Sequence, residues 1–142
     1  MVGEVYRLSE HQDRSDASHR HYFACINEAW ENLTEHMAAQ FPTPDHLRKF
    51  ALIKAGHADS RQMVASSKAE AVRLAAFIKP IDDYALVLVD GAVVTVWTAR
   101  TQNMRAMDRK TFQASKDAVL AIVAEMIGTT PAALSANAGQ AA

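Results

Sequence analysis

The stretch YALVLVDGAVVTVWTA, residues 84–99, constrains the fold more than any other part of this chain. Two runs rich in Val, Leu, Thr and Trp flank the dipeptide Asp90-Gly91, a pattern that predicts a β-hairpin closed by a type I′ turn. Near the turn both runs are apolar on both faces, so we expect the hairpin to pack against helices.

A long helix is predicted before this hairpin, because apolar positions recur there at spacings of three and four. Its predicted apolar face carries His19, Phe23, Ile26, Trp30, Leu33 and Met37. Asp13 or Ser15 is the expected N-terminal cap.

Three further helices are predicted, at about 44–55, at 67–78 with Pro80 ending it, and from about 109 to Gly128. The second of these has the strongest start signal, because Ser67 is followed three residues later by Glu70, as in a capping box. Glycine or proline ends each of them.

Two shorter segments, at 3–8 and 61–66, are predicted as strands. The sequence therefore predicts one α+β domain over residues 1–134, mainly helical, with a central antiparallel hairpin at about 84–99. Residues 135–142, SANAGQAA, are expected to be a disordered tail.

Composition places the chain among globular proteins, with 49% hydrophobic and 22% charged residues and a net charge of −1. Its apolar runs are far shorter than the roughly 20 residues that cross a bilayer, and its start lacks the apolar core of a signal peptide. A lone cysteine, Cys25, fits a reducing compartment. These features predict a soluble, cytoplasmic protein.

The segment after the hairpin, TARTQNMRAMDRKTF, concentrates positive charge in an otherwise nearly neutral chain. Its basic residues, opposed only by Asp108, are Arg100, Arg105, Arg109 and Lys110. Arginine and lysine contact phosphates, and an outward Trp97 could stack on bases, the two elements of a single-strand binder. The alternative is that Trp97 packs in the core and the basic side chains are only solvated.

Other chemistry is weakly represented in the sequence. His19, His21 and Cys25 could share a metal, but no second ligand cluster follows them at a recognisable spacing. Cys25 lies among apolar neighbours without the electropositive surroundings of a reactive thiolate. We therefore predict no catalytic residue, no metal and no cofactor.

A metal-dependent nuclease is the remaining catalytic alternative. Asp82, Asp83 and Asp90 cluster around the hairpin in the sequence, and two-metal cleavage requires carboxylates. Turn chemistry explains Asp90 equally well, because aspartate commonly precedes glycine in tight turns.

Two stretches resemble small phage proteins of recombination gene clusters. The opening RSDASHRHYFACINEAWENL resembles their arginine-serine and aromatic pattern, and TARTQNMRAMDRKTFQASKDAVLAIVAEMIG resembles a closing element in which Met107, Asp108 and Phe112 match. The related NinB (Orf) type comprises recombination mediators that bind DNA as homodimers. The resemblance maps onto these positions: Arg14, Ser15, Arg20, Arg100, Thr101, Arg105 and Met107.

The combined prediction is a non-catalytic, phage-type DNA-binding accessory protein of recombination or replication, acting as a homodimer on single-stranded DNA. The residues expected to contact DNA are Arg20, Trp97, Arg100, Arg105, Arg109 and Lys110. The alternatives left open are a protein-interaction module that binds a host or phage protein, such as a recombination or replication protein, and the nuclease.

Overall fold

The structure is a computed structural model that describes residues 2–102 and 107–141. Its helices and strands follow in chain order. They are α1 (Val2–Glu31), α2 (Glu35–Ala38), α3 (Pro44–Lys54), β1 (Ala58–Val64), α4 (Lys68–Ile81), β2 (Leu86–Asp90), β3 (Val93–Ala99), α5 (Arg109–Met126) and α6 (Pro131–Ala141). The predicted α+β class, mainly helical with one antiparallel hairpin against helices, is confirmed.

Three antiparallel strands form the sheet, in the order β1-β3-β2. The hairpin closes with the pair Asp90–Val93, so its two-residue loop is Gly91-Ala92. Gly91 has φ +58°, whereas no described residue other than glycine has a positive φ. The predicted type I′ turn is therefore wrong, because that turn needs positive φ at both loop residues; glycine first is typical of type II′.

Two separate apolar cores hold the fold together. On one face of the sheet, α4 buries Ala71 and Ala75 against Val87 and Val94. The larger core joins α1, α3, α5 and α6, and it includes the β3 residue Ala99 at its margin. The hairpin is thus covered by a helix on one face and joined to the helical layer at its open end.

Side-chain caps start the helices where the sequence predicts them. The Thr43, Ser67 and Asp108 side chains accept backbone N–H hydrogen bonds at the starts of α3, α4 and α5. Each of these bonds satisfies one of the backbone donors that the first turn of a helix leaves unpaired. Gly56 and Gly128, with φ of +91° and +74°, follow the ends of α3 and α5.

Two predictions about the chain termini are wrong. Residues 3–8 are helical within α1 and belong to no strand ladder of the described chain, so their short alternation did not decide their conformation. The tail is helical through Ala141, and Leu134 and Ala138 are buried with 1% and 2% exposure. Alanine has high helix propensity and this helix packs on α1, so the tail has a partner that its composition did not reveal.

The buried face of α1 is rotated from the predicted one. Tyr22, Cys25, Ile26 and Ala29 are buried, whereas Phe23 is 36% exposed. The helix also ends at Glu31, before the last two apolar positions assigned to it. Packing against α5 and α6 selects this face, which the three-and-four spacing alone could not distinguish from its neighbour.

The helices also bear on membrane insertion. In the part of the chain that the structure describes, none of them is by itself both long and apolar enough to cross a bilayer. The helices α5 and α6 pass that test only as a pair, which is bent by 93° at the break.

Candidate nucleic-acid interface

The end of β3 and the start of α5 line a half-open cavity of about 450 Å³. Arg100 and Thr101 line it from the strand side, and Asp108 and Thr111 line it from the helix side. Backbone hydrogen bonding extends the β1–β3 pairing to this point, because the Arg100 N–H donates to the His57 carbonyl at 3.0 Å. The basic segment singled out in the sequence therefore begins on a firmly paired strand end.

Both carboxylates at this cavity have partners. Arg100 Nε lies 3.2 Å from Asp59 Oδ1, and both side chains are more than half exposed. Asp108 Oδ1 accepts the Thr111 N–H at 2.7 Å, and hydrogen bonding to Thr111 lowers the pKa of this carboxyl group. Asp59 is thus paired with a cationic side chain, whereas Asp108 remains an ionised carboxylate that caps the helix.

Arg109 and Lys110 lie in the first turn of α5, directly after Asp108, and both are exposed. Arg20 is also exposed, on α1, and its neighbour His19 stacks on Phe112 of α5 with ring centroids 6.0 Å apart. This contact places α1 beside the first turns of α5. Arg20, Arg109 and Lys110 are therefore exposed on two neighbouring helices.

Arg105 and Trp97 do not complete this cluster. Arg105 lies outside the described residues. Trp97 is half-buried and pairs across the sheet with Ser60 and Leu86, on the face opposite the one that α4 covers. Because side chains alternate along a strand, Trp97 and Arg100 point to opposite faces of the sheet.

A polar network that the sequence did not predict holds Gln102 behind this cavity. Gln102 Oε1 accepts hydrogen bonds from the Tyr22 hydroxyl at 2.8 Å and from Arg48 Nη1 at 2.9 Å. Gln102 Nε2 donates to Ser115 Oγ at 2.8 Å, and Arg48 is held in turn by Asp45 at 2.7 Å. One glutamine thereby joins α1, α3 and α5 to the end of β3.

Lys116 is buried beside Ser115, with 5% exposure. Its Nζ lies 4.6 Å from the Phe112 ring centroid and 5.6 Å from that of Tyr22. Desolvation lowers the pKa of Lys116, and burial raises the pKa of Tyr22 to about 12. The burial of Lys116 could have been predicted from the sequence, since Lys116 falls on the same side of its helix as Phe112, Val119 and Val123.

His21 and Cys25 of α1 contact each other. His21 Nε2 lies 2.7 Å from Ser135 Oγ and 3.6 Å from Cys25 Sγ. Cys25 is fully buried, and burial raises the pKa of its thiol. Cys25 thus lies in the helical core, whereas His21 is exposed at its margin beside Ser135.

The aspartates of the nuclease alternative do not converge. Asp83 binds His46 Nε2 at 2.6 Å, beside Tyr84, whereas Asp90 lies at the other end of β2. Across the described ranges, His, Cys, Asp and Glu side chains form no group of three that could hold a metal ion.

Comparisons with protein-family models, curated proteins and solved structures found no match for this chain.

Proposed function

We propose that this chain is a non-catalytic accessory protein, of the phage recombination type and cytoplasmic, that binds single-stranded DNA. The binding surface consists of Arg20, Arg100, Arg109 and Lys110 around the cavity between β3 and α5. We call it the β3–α5 surface. Phosphates are the ligand, because exposed arginine and lysine side chains on neighbouring elements suit a flexible polyanion.

The single observation that carries this proposal is the junction at Asp108. Arg109 and Lys110, both exposed, lie between Asp108 and Thr111, which line the cavity together with Arg100. Asp59 is paired with Arg100, and Asp108 occupies the N-terminal cap of α5. A phosphate approaching this junction therefore meets the three exposed cationic side chains of Arg100, Arg109 and Lys110 against these two carboxylates.

The position of Trp97 modifies the expected mode of binding. Since Trp97 and Arg100 point to opposite sheet faces, the proposed contacts are mainly with the phosphate backbone and not a combined stacking site. Binding should then depend strongly on salt and weakly on sequence.

The test is fluorescence anisotropy with labelled single- and double-stranded oligonucleotides over a salt series, with and without Mg²⁺. The variant replaces Arg100, Arg109 and Lys110 by alanine. Losing three phosphate contacts should make the slope of log K against log salt shallower by about 2. Affinity at low salt should fall at least tenfold.

A matched control removes the same charge elsewhere. It replaces Arg61, Lys68 and Arg73, which are exposed on β1 and α4, by alanine. Equal loss in both variants would mean that only net charge matters and would refute a localised surface. No binding at low salt would overturn the proposal in favour of a protein-interaction module, and Mg²⁺-dependent cleavage would restore the nuclease.

A further inference from the structure

The two outer strands of the sheet differ in the charge of the residues along their free edges. Both β1 and β2 pair only with β3 in the described chain, so each has one unpaired edge. The β1 strand carries Asp59 and Arg61, and charges of this kind discourage pairing with another chain. The β2 strand, LVLVD, has neither a charge before Asp90 nor a proline, so its edge is open to a further strand.

The hydrogen-bonding groups of β2 face outward at two residues. The pair Asp90–Val93 that closes the two-residue loop is hydrogen-bonded, and such pairs alternate along an antiparallel ladder. Leu86 and Leu88 therefore bond to β3, whereas Val87 and Val89 direct their N–H and C=O groups away from it. These are the groups that an added strand would pair.

Apolar side chains flank this edge on both faces of the sheet. Leu88 is 51% exposed and Val89 is 36% exposed, and successive residues point to opposite faces. Val72 of α4 is also 51% exposed. The helix α4 connects β1 to β2, which are parallel to each other, and nearly all such connections are right-handed. In a right-handed connection, the side of α4 that carries Val72 lies toward the free edge of β2.

We propose that β2 pairs with β2 of a second copy of this chain, forming a continuous six-stranded sheet across a two-fold axis at Leu88. In this register Val87 faces the partner's Val89, so the outward backbone groups of both copies are satisfied. Asp90 faces the partner's Leu86, and the two Asp90 carboxylates are roughly 14 Å apart, beyond the range of strong repulsion.

The strand that pairs with β2 comes from a second copy of the chain because the free edge of β2 is self-complementary. A two-fold interface requires one patch to fit itself, and an antiparallel strand centred on Leu88 does so in sequence, spacing and charge. The three exposed apolar side chains of each copy offer on the order of 100 Å² each, roughly 600 Å² in all, which is below the standard interface size and suits a weak association. We therefore expect dissociation in the micromolar range.

The measurement is sedimentation velocity of the full chain over a wide concentration range, independent of DNA binding. Wild type should approach twice the 15.6-kDa chain mass as concentration rises. Leu88→Lys places like charges directly opposite each other at the axis, so its dissociation constant should rise at least tenfold. Val64→Lys is the matched control, because Val64 is 80% exposed on the other outer strand and should dimerise as wild type does.

Register is tested by mixing charge variants. Leu88→Glu should also be monomeric alone, and an equimolar mixture with Leu88→Lys should recover the dimer because only the mixed pair has opposite charges at the axis. Circular dichroism of each variant verifies folding. A monomeric wild type, heterogeneous aggregation, a dimer insensitive to Leu88→Lys, or no recovery on mixing would each overturn the proposal.

Discussion

The Tyr22 hydroxyl donates a hydrogen bond of 2.8 Å to Gln102 across 80 residues of sequence. This bond joins the first long helix to the segment that leaves β3, and Arg48 donates to the same oxygen from α3. Gln102, two residues beyond Arg100, is therefore held between three helices.

Replacing Gln102 by alanine should lower the free energy of unfolding by about 1–3 kcal/mol, because the buried Tyr22 hydroxyl loses its Gln102 acceptor and a buried polar group without a partner costs about that much. Arg48 keeps its contact with Asp45, and Ser115 still donates to the Phe112 carbonyl. Urea unfolding measures the change. Gln113→Ala is the control, because Gln113 makes only an exposed hydrogen bond to Asp117; equal effects of the two variants would contradict the prediction.

Alkaline pH should destabilise the protein through Tyr22. Burial raises the pKa of Tyr22 from 10.0 to about 12, so the folded state holds this proton more tightly than the unfolded state. The resulting stability is present below pH 10 and is lost as pH rises to about 12, with a total on the order of 2 kcal/mol.

The Tyr22 prediction is tested by urea unfolding between pH 8 and pH 12. Tyr22→Phe should remove most of the pH dependence in this range, and ultraviolet titration should show one of the three tyrosines ionising late. A pH dependence that is unchanged in Tyr22→Phe would refute the assignment.

Lys116→Met should raise the free energy of unfolding by about 1 kcal/mol. Desolvation lowers the pKa of Lys116, which means that folding at neutral pH disfavours its charged form, and this cost diminishes as pH rises through the folded and unfolded pKa values. Methionine fills a similar volume without a charge.

Thermal unfolding of Lys116→Met, with the exposed Lys110→Met as the control, measures this effect. The stabilisation should be largest near neutral pH and should be lost as pH rises through the lowered pKa of the folded state to about 10.5. A clear loss of stability in Lys116→Met would show instead that the contacts of the ammonium group with Phe112 and Tyr22 outweigh its desolvation.

Much of the local structure was predictable because short-range chemistry determines it. Thr43, Ser67 and Asp108 begin helices by bonding backbone groups three residues away, and the apolar runs around Asp90 form the hairpin. The basic segment was visible for the same reason, since charge density is a property of neighbours in sequence. Its position at the exit of β3 followed from the hairpin.

The candidate site was only partly predictable. Arg100 and Lys110 could be named from composition, but the opposite directions of Trp97 and Arg100 depend on the pairing with β1 and on which face α4 covers. The role of Gln102 was invisible, because its three partners come from distant parts of the chain.

The amino-acid sequence by itself determined the helix starts, the hairpin and the concentration of charge after it, because each depends on interactions within a few residues. Long-range packing settled which face of α1 is buried, that the alanine-rich tail is a helix, and that Gln102 bonds to Tyr22. These features depend on contacts between residues far apart in the chain, and no local pattern specifies which of several similar surfaces will meet.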